Sequence, residues 1–234
     1  MQVFYAPGID GIRYLLDEKE SAHCIRVLRM KKNSPVNLID GRGNLYEGVI
    51  SDPDPKGCLI TIENVVKGFE KRPYSLHLAI SPLKNPERFE WFIEKSVEIG
   101  IDEITPVLCK NSEKRSVKTE RINKLIVSAM KQSLKAGVTK FNEILNYGDF
   151  IKRPHNGIKL IAHCSDNYER SPVGGVYTAG SDAVILIGPE GDFTDEEITM
   201  SINSGFRSVH LGMSRLRTET AGVAACHSIY LLNQ

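Results

Sequence analysis

From Leu76 onward the chain alternates short strand-like apolar runs with helical patterns, and this rhythm constrains the fold more than any other feature. The runs are Leu76–Ile80, Ile104–Cys109, Lys159–Cys164, Ala183–Gly188 and Ser208–Gly212. Between them, Phe89, Phe92, Ile93 and Val97 recur at helical spacing, with Gly100 placed to end the helix. Ile122, Leu125, Ile126, Ala129 and Ser133 repeat the pattern before Gly137. Strands alternating with helices specify an α/β domain with a parallel sheet and crossover helices.

The first seventy residues follow a different rule. Pro35–Asp40 and Leu45–Ile50 flank the turn dipeptides Asp40-Gly41 and Gly43-Asn44, which predicts a hairpin. A Pro/Asp/Gly cluster at 52–57 then precedes the β-branched run Cys58–Val66. Short strands this close suggest a small barrel, and the spacing of Ala22, Ile25, Val27 and Leu28 suggests one short helix lying on it. The charged stretch 67–73, carrying Gly68 and Pro73, is the natural linker, so domains are expected at 1–70 and 71–234. At 234 residues, one large or two small domains fit.

Composition excludes several classes. With 41% hydrophobic and 25% charged residues the chain is not disordered. The longest strongly apolar run, Ala183–Ile187, falls far short of the ~20 residues of a membrane span. The amino terminus lacks a secretory pattern, so no membrane association and a cytoplasmic location are expected. Cys24, Cys58, Cys109, Cys164 and Cys226 are widely spaced, and the six histidines form no ligand motif, so neither a disulfide framework nor a metal is expected.

Net charge is only +1, yet the cations cluster. Lys110, Lys114, Arg115, Lys118, Arg121, Lys124, Lys131, Lys135 and Lys140 face only Glu113 and Glu120 in their stretch, and Arg26, Arg29, Lys31 and Lys32 face no acid between His23 and Lys32. Two local basic patches on a neutral chain suit a polyanion held at chosen faces. At ~100° per residue, Lys124, Lys131 and Lys135 fall opposite the apolar stripe and predict a solvent-facing ridge. Solvated surface charge is the ordinary alternative.

Two segments carry chemistry. In Ile185-Leu186-Ile187-Gly188-Pro189-Glu190-Gly191-Asp192-Phe193-Thr194, a buried strand ends in an open Gly/Pro loop, and Thr194 with Glu197 has capping-box spacing for the next helix. Backbone groups in such a strand-end loop can hold the polar edge of a nucleoside. Five acids from Glu190 to Glu197 repel a phosphate there, so a neutral or cationic ligand is favoured. An ordinary strand-to-helix connection is the plainer reading. The second segment, Val209 to Ala225, again runs from strand to Gly loop to helix, with Arg215, Arg217 and Glu219 at the mouth. Arg217 and Glu219 also suit a simple surface ion pair. Ala221, Gly222, Ala224 and Ala225 permit close backbone approach, which suggests a face for a second copy of the chain.

Together, GPEG before an acidic helix start and the later LGMSRLRTETA resemble the carboxy-terminal motifs of the SPOUT methyltransferases. Within them the chain resembles the bacterial small-subunit ribosomal RNA uridine-N3 methyltransferase family, the RsmE type. His23-Cys24-Ile25-Arg26-Val27-Leu28-Arg29 is similar to its H-x-x-x-V-L-R element, Lys95–Ile101 to its K-x-x-E-L-G-V helix end, and Ala129–Ser133 to its A-x-x-Q-S helix. The sequence departs from the family at Asp192, where a second glycine is usual, at Ser214-Arg215, where Arg-Ile is common, and at Lys135, which replaces an arginine.

The resemblance implies an amino-terminal PUA-like β-barrel, a knotted SPOUT-like α/β domain, a homodimer, and S-adenosylmethionine as methyl donor without metal. It places the cofactor among three loops: Ala162, His163 and Cys164; Ile187, Gly188, Pro189, Glu190 and Gly191; and Leu211, Gly212, Met213, Leu216, Arg217 and Thr218. The implied substrate is small-subunit (16S) ribosomal RNA, free or in an assembled subunit. His23, Arg26, Arg29, Lys31, Lys32, Lys124, Lys131 and Lys135 are the expected RNA contacts. Arg217 cannot act as a base, since its pKa exceeds 12, but it can stabilise charge on uracil oxygens; Glu219 and Glu190 are the carboxylates available as proton acceptors. Competing readings are a non-enzymatic RNA-binding assembly factor and a nucleotide-phosphate hydrolase, the latter without a P-loop.

Overall fold

The computed structural model describes residues 2–234. The chain forms two compact units that are not consecutive halves: residues up to Lys71 with Val127–Val138 make one, and Arg72–Ile126 with Thr139–Gln234 make the other. The first unit thus reaches well beyond residue 70.

In the first unit, strands β1 (Val3–Tyr5), β2 (Arg13–Leu15), β3 (Pro35–Ile39), β4 (Leu45–Asp52) and β5 (Leu59–Val66) form a curled half-barrel in the order β1-β3-β4-β5-β2. β3 and β4 make the expected antiparallel hairpin. Asp40 shapes its turn by accepting the backbone N–H groups of Arg42 (2.7 Å) and Asn44 (3.1 Å). Phe4, Leu16, Val36, Leu38, Ile50 and Ile60 fill the core. Helix α1 (Glu18–Ala22), capped by Asp17, runs on into a π-helical turn at His23–Val27. The expected short helix is present, but Val27 is 66% exposed and Leu28 is exposed too. The wider turn, closed by Leu28 N–H on the His23 carbonyl (3.0 Å), rotates both residues away from where a 3.6-residue period puts them.

The second unit contains β6 (Leu76–Ile80), α2 (Pro86–Ile99), β7 (Glu103–Leu108), the first half of α3 (Thr119–Gln132), β8 (Lys140–Phe141), β9 (Leu145–Asn146) and α4 (Tyr147–Lys152). After these come β10 (Ile158–Ala162), β11 (Ser171–Pro172), β12 (Ala183–Ile187), α5 (Asp195–Asn203), β13 (Arg207–His210) and α6 (Thr218–Leu231). The sheet order is β11-β13-β10-β12-β6-β7-β8, with β9 also on β7, and every pairing is parallel. β12 is buried along its whole length, as its uninterrupted apolar run requires. Ala162 at the end of β10 pairs with Ile187 on one side and Val209 on the other, so the loops leaving β10, β12 and β13 emerge side by side.

Helix α2 starts at Asn85, which caps Glu87 N–H (2.8 Å), and ends at Gly100, whose φ of 111° few other residues adopt. Its buried side, including Phe89, Phe92, Ile93 and Val97, packs against α6. This corrects the reading of the small-residue face at two of its four positions, while Ala221 and Ala224 stay partly exposed. Gly222 and Ala225 are buried within their own unit, and a Cβ on Gly222 would lie 2.5 Å from Phe92 Cε2 and 3.0 Å from Ile80 Cδ1. The missing side chain at Gly222 makes room for α2 and β6.

Candidate functional site: a cleft at the strand ends

A cleft of about 1200 Å³ opens beyond the carboxyl ends of β10, β12 and β13. All the residues expected to hold the cofactor line it except Gly191, whose carbonyl instead accepts a hydrogen bond from Asn111 Nδ2 (3.1 Å). Glu219 lines it as well, from the first turn of α6. The parallel register of the three strands is what converges these loops.

The loop after β12 is held from three directions. Asp192 N–H donates to the Pro189 carbonyl (2.9 Å), closing a turn in which Asp192 itself takes φ 60°. The Asp192 carboxylate accepts Phe193 N–H (2.8 Å) and, across to the loop after β10, Cys164 N–H (2.7 Å). Asn111 Nδ2 donates to the Gly191 and Asp192 carbonyls (3.1 and 3.0 Å), and Glu197 accepts Lys110 N–H (2.8 Å) while completing the capping box with Thr194. Asp192 stood out in the sequence only as one of five acids and as a family departure. Asn111 gave no signal there, and Lys110 only as one cation of the basic stretch, because they reach the loop from some eighty residues away.

His163, 4% exposed at the end of β10, lines the cleft with neither ring nitrogen hydrogen-bonded among the described residues. Burial pushes its pKa down, only partly opposed by Asp192, so the imidazole is neutral and offers one donor and one acceptor. Tyr168 packs edge-on against it (5.8 Å between ring centres), and Arg170 donates to its carbonyl (2.9 Å). An orphaned buried imidazole beside three loops of open backbone fits a polar nucleoside ligand, since leaving such a group unsatisfied costs ~1–3 kcal/mol. S-adenosylmethionine meets that requirement.

At the mouth, Arg215, Arg217 and Glu190 are exposed, whereas Glu219 is buried. Glu219 faces Arg88 Nε at 3.8 Å, so the ion pair read from sequence forms with a residue of α2. Arg88 also lines the cleft and carried no mark in the sequence. Glu190 accepts Lys84 N–H (3.3 Å). Gly212 has φ 119°, a backbone state that side chains resist, with open space where a Cβ would stand.

The basic patches separate. Arg26, Arg29, Lys31 and Lys32 are exposed and enter no ion pair among the described residues, while His23 is half-buried against Phe4. The solvent-facing ridge holds for Lys124, which is exposed and pairs with Glu120 (3.3 Å) one turn before it, and is corrected for the other two: Lys131 is largely covered and paired with Glu20 of α1, and Lys135 lies past the end of α3 and pairs with Glu70 (3.4 Å). Among the described residues no group of three or more His, Cys, Asp or Glu is placed to hold a metal ion, and no helix is long and apolar enough to cross a membrane.

Residues 70–230 match the RNA methyltransferase domain family, and residues 16–63 match the RNA methyltransferase PUA domain. The chain therefore belongs to the RNA methyltransferases of this fold, with a PUA domain at its amino end. The ribosomal RNA small subunit methyltransferase E of Mesomycoplasma hyopneumoniae is 34% identical over 165 residues, covering 68% of this chain and 70% of that one. More narrowly, then, the chain is a member of the ribosomal RNA small subunit methyltransferase E family. Among solved structures, a probable rRNA-methyltransferase from Porphyromonas gingivalis is 39% identical with a TM-score of 0.93, covering 100% of this chain and 98% of its own. The ribosomal RNA small subunit methyltransferase E of Neisseria gonorrhoeae, bound to S-adenosyl methionine, is 27% identical with a TM-score of 0.87 and the same coverage.

Proposed function

We propose that this protein methylates N3 of a uridine in small-subunit (16S) ribosomal RNA, using S-adenosylmethionine held in the cleft of the second unit while the first unit grips RNA. The observation that carries this reading is the convergence of three strand-end loops around the unsatisfied His163 imidazole. Bound there, the cofactor supplies an electrophilic methyl group on a sulfonium. The chain's own residues do the rest. The loops fix the geometry of approach, which can contribute several kcal/mol. Arg217, exposed at the mouth, stabilises negative charge on the uracil carbonyl oxygens as the imino proton leaves. Glu190 is the accessible carboxylate for that proton, whereas Glu219, enclosed beside Arg88, positions that guanidinium. Because N3 lies on the pairing edge, the target uridine is unpaired or flipped out. Arg26, Arg29, Lys31 and Lys32 supply phosphate contacts in the first unit, and the working protein is a cytoplasmic homodimer.

The test couples binding to turnover. S-adenosylmethionine at 100 times its Kd raises stability by ~2.7 kcal/mol, Gly212→Val weakens its binding, and isolated small subunits acquire 3-methyluridine detectable by mass spectrometry. RNA binding without cofactor binding or methyl transfer would identify an assembly factor instead.

A further inference from the structure

We propose that segment 113–118 is a track for the phosphodiester backbone of single-stranded RNA leading to the cleft, an inference that rests on the methyltransferase reading above. The segment belongs to no helix or strand, and its origin is fastened to the cleft rim. Asn111 holds the Gly191 and Asp192 carbonyls, and Lys110 N–H donates to Glu197. Ser112 is buried with its hydroxyl 2.8 Å from that of Ser81 and accepting Cys109 N–H (2.9 Å). Lys84 bridges the two sides, its N–H on Glu190 (3.3 Å) and its ammonium on Glu113 (2.8 Å).

That last pair neutralises the only acid of the segment. Beyond it, Lys114, Arg115 and Lys118 are exposed and enter no ion pair among the described residues. The contrast with the rest of the basic stretch decides the assignment. Lys110, Arg121, Lys124, Lys131, Lys135 and Lys140 all face acids of this chain, which a phosphate would have to displace. Four backbone steps separate Lys114 from Lys118, at most about 14 Å, so the three cations follow a short length of strand and do not clamp one phosphate. Arg215 and Arg217 at the cleft mouth continue the same sign of charge. A duplex would keep the N3 edge closed, so the strand that fits is single.

The triple variant Lys114→Gln, Arg115→Gln, Lys118→Gln tests the track by titrating a uridine-rich single-stranded oligoribonucleotide at several salt concentrations. For single strands each lost phosphate contact removes about 0.7 from the log–log salt slope, so the slope falls by about 2 and affinity near 0.1 M salt drops roughly 100-fold. The Kd for S-adenosylmethionine, measured by calorimetry, stays at the wild-type value. A wild-type slope overturns the proposal, as does a parallel loss of cofactor affinity, which would mean a distorted cleft. A defect seen only with intact subunits, and not with the oligoribonucleotide, also overturns it and assigns the segment to a protein partner. Methyl transfer by the wild-type enzyme is scored separately, so failure of the methyltransferase reading is visible apart from failure of the track.

Discussion

The backbone at Asp192 occupies a left-handed conformation that glycine takes freely and aspartate tolerates better than most residues. A glycine there would ease folding of the turn, while the aspartate adds a carboxylate spanning two of the three loops that line the cleft. Hydrogen bonds to a charged acceptor are worth ~1.5–3 kcal/mol, so removing the tie should loosen the loop after β10 and the neighbouring His163. Asp192→Gly is expected to weaken S-adenosylmethionine binding about tenfold, with Asp192→Asn in between, while the thermal midpoint changes little because relief of strain offsets lost bonds. Calorimetric titration decides it. Wild-type affinity in the glycine variant would show the tie to be incidental.

Among elements, legibility followed length and burial. β6, β12, α2 and α3 could be read because each carries enough residues for a period to show, and the loops after β12 and β13 because glycine marks them. β8, β9 and β11, two residues each, contain no period at all, and the π-turn breaks the one that its helix starts. Arg88 and Asn111 were invisible because only the sheet brings them to the cleft. The same holds for the polar cluster between β6 and β7. His77 Nε2 lies 2.7 Å from Thr105 Oγ1, and Asn142 Nδ2 donates to both Thr105 (2.7 Å) and Glu103 (2.6 Å). Burial pushes the His77 pKa from 6.5 down to about 4, against the pull of Glu103. Between those values the unfolded chain binds a proton that the native chain refuses, so stability rises with pH across this window. Burial favours protonating Glu103, but hydrogen bonds from Asn142 and Lys140 outweigh it, so Glu103 adds a loss of the same sign only in stronger acid. From pH 7 to pH 5 the His77 contribution should fall by about 2 kcal/mol, measurable by urea unfolding. His155 and His163 are also pushed down by burial, so His77→Gln flattens the slope only in part. An unchanged slope in that variant would exclude His77 as a source.

At the scale of the molecule, the first unit borrows Val127–Val138 from the middle of the chain. Gly43 N–H donates to the Ala136 carbonyl (3.0 Å), Val138 N–H donates to the Gly41 carbonyl (2.9 Å), and Lys131 pairs with Glu20. A fragment ending at residue 71 lacks all of these. With about 1 kcal/mol for each backbone bond, it should be less stable by about 2 kcal/mol or more than the same fragment carrying 127–138 on a flexible linker. Equal urea midpoints for the two fragments would show the borrowed segment to be dispensable. The arrangement also sets a schedule during synthesis. When Lys71 leaves the ribosome the half-barrel is still missing its last piece, and at ~5–20 residues per second that piece follows several seconds later. Until then the nascent sheet stays open to chaperones, and its closure waits on a stretch of chain made in the middle of the other unit.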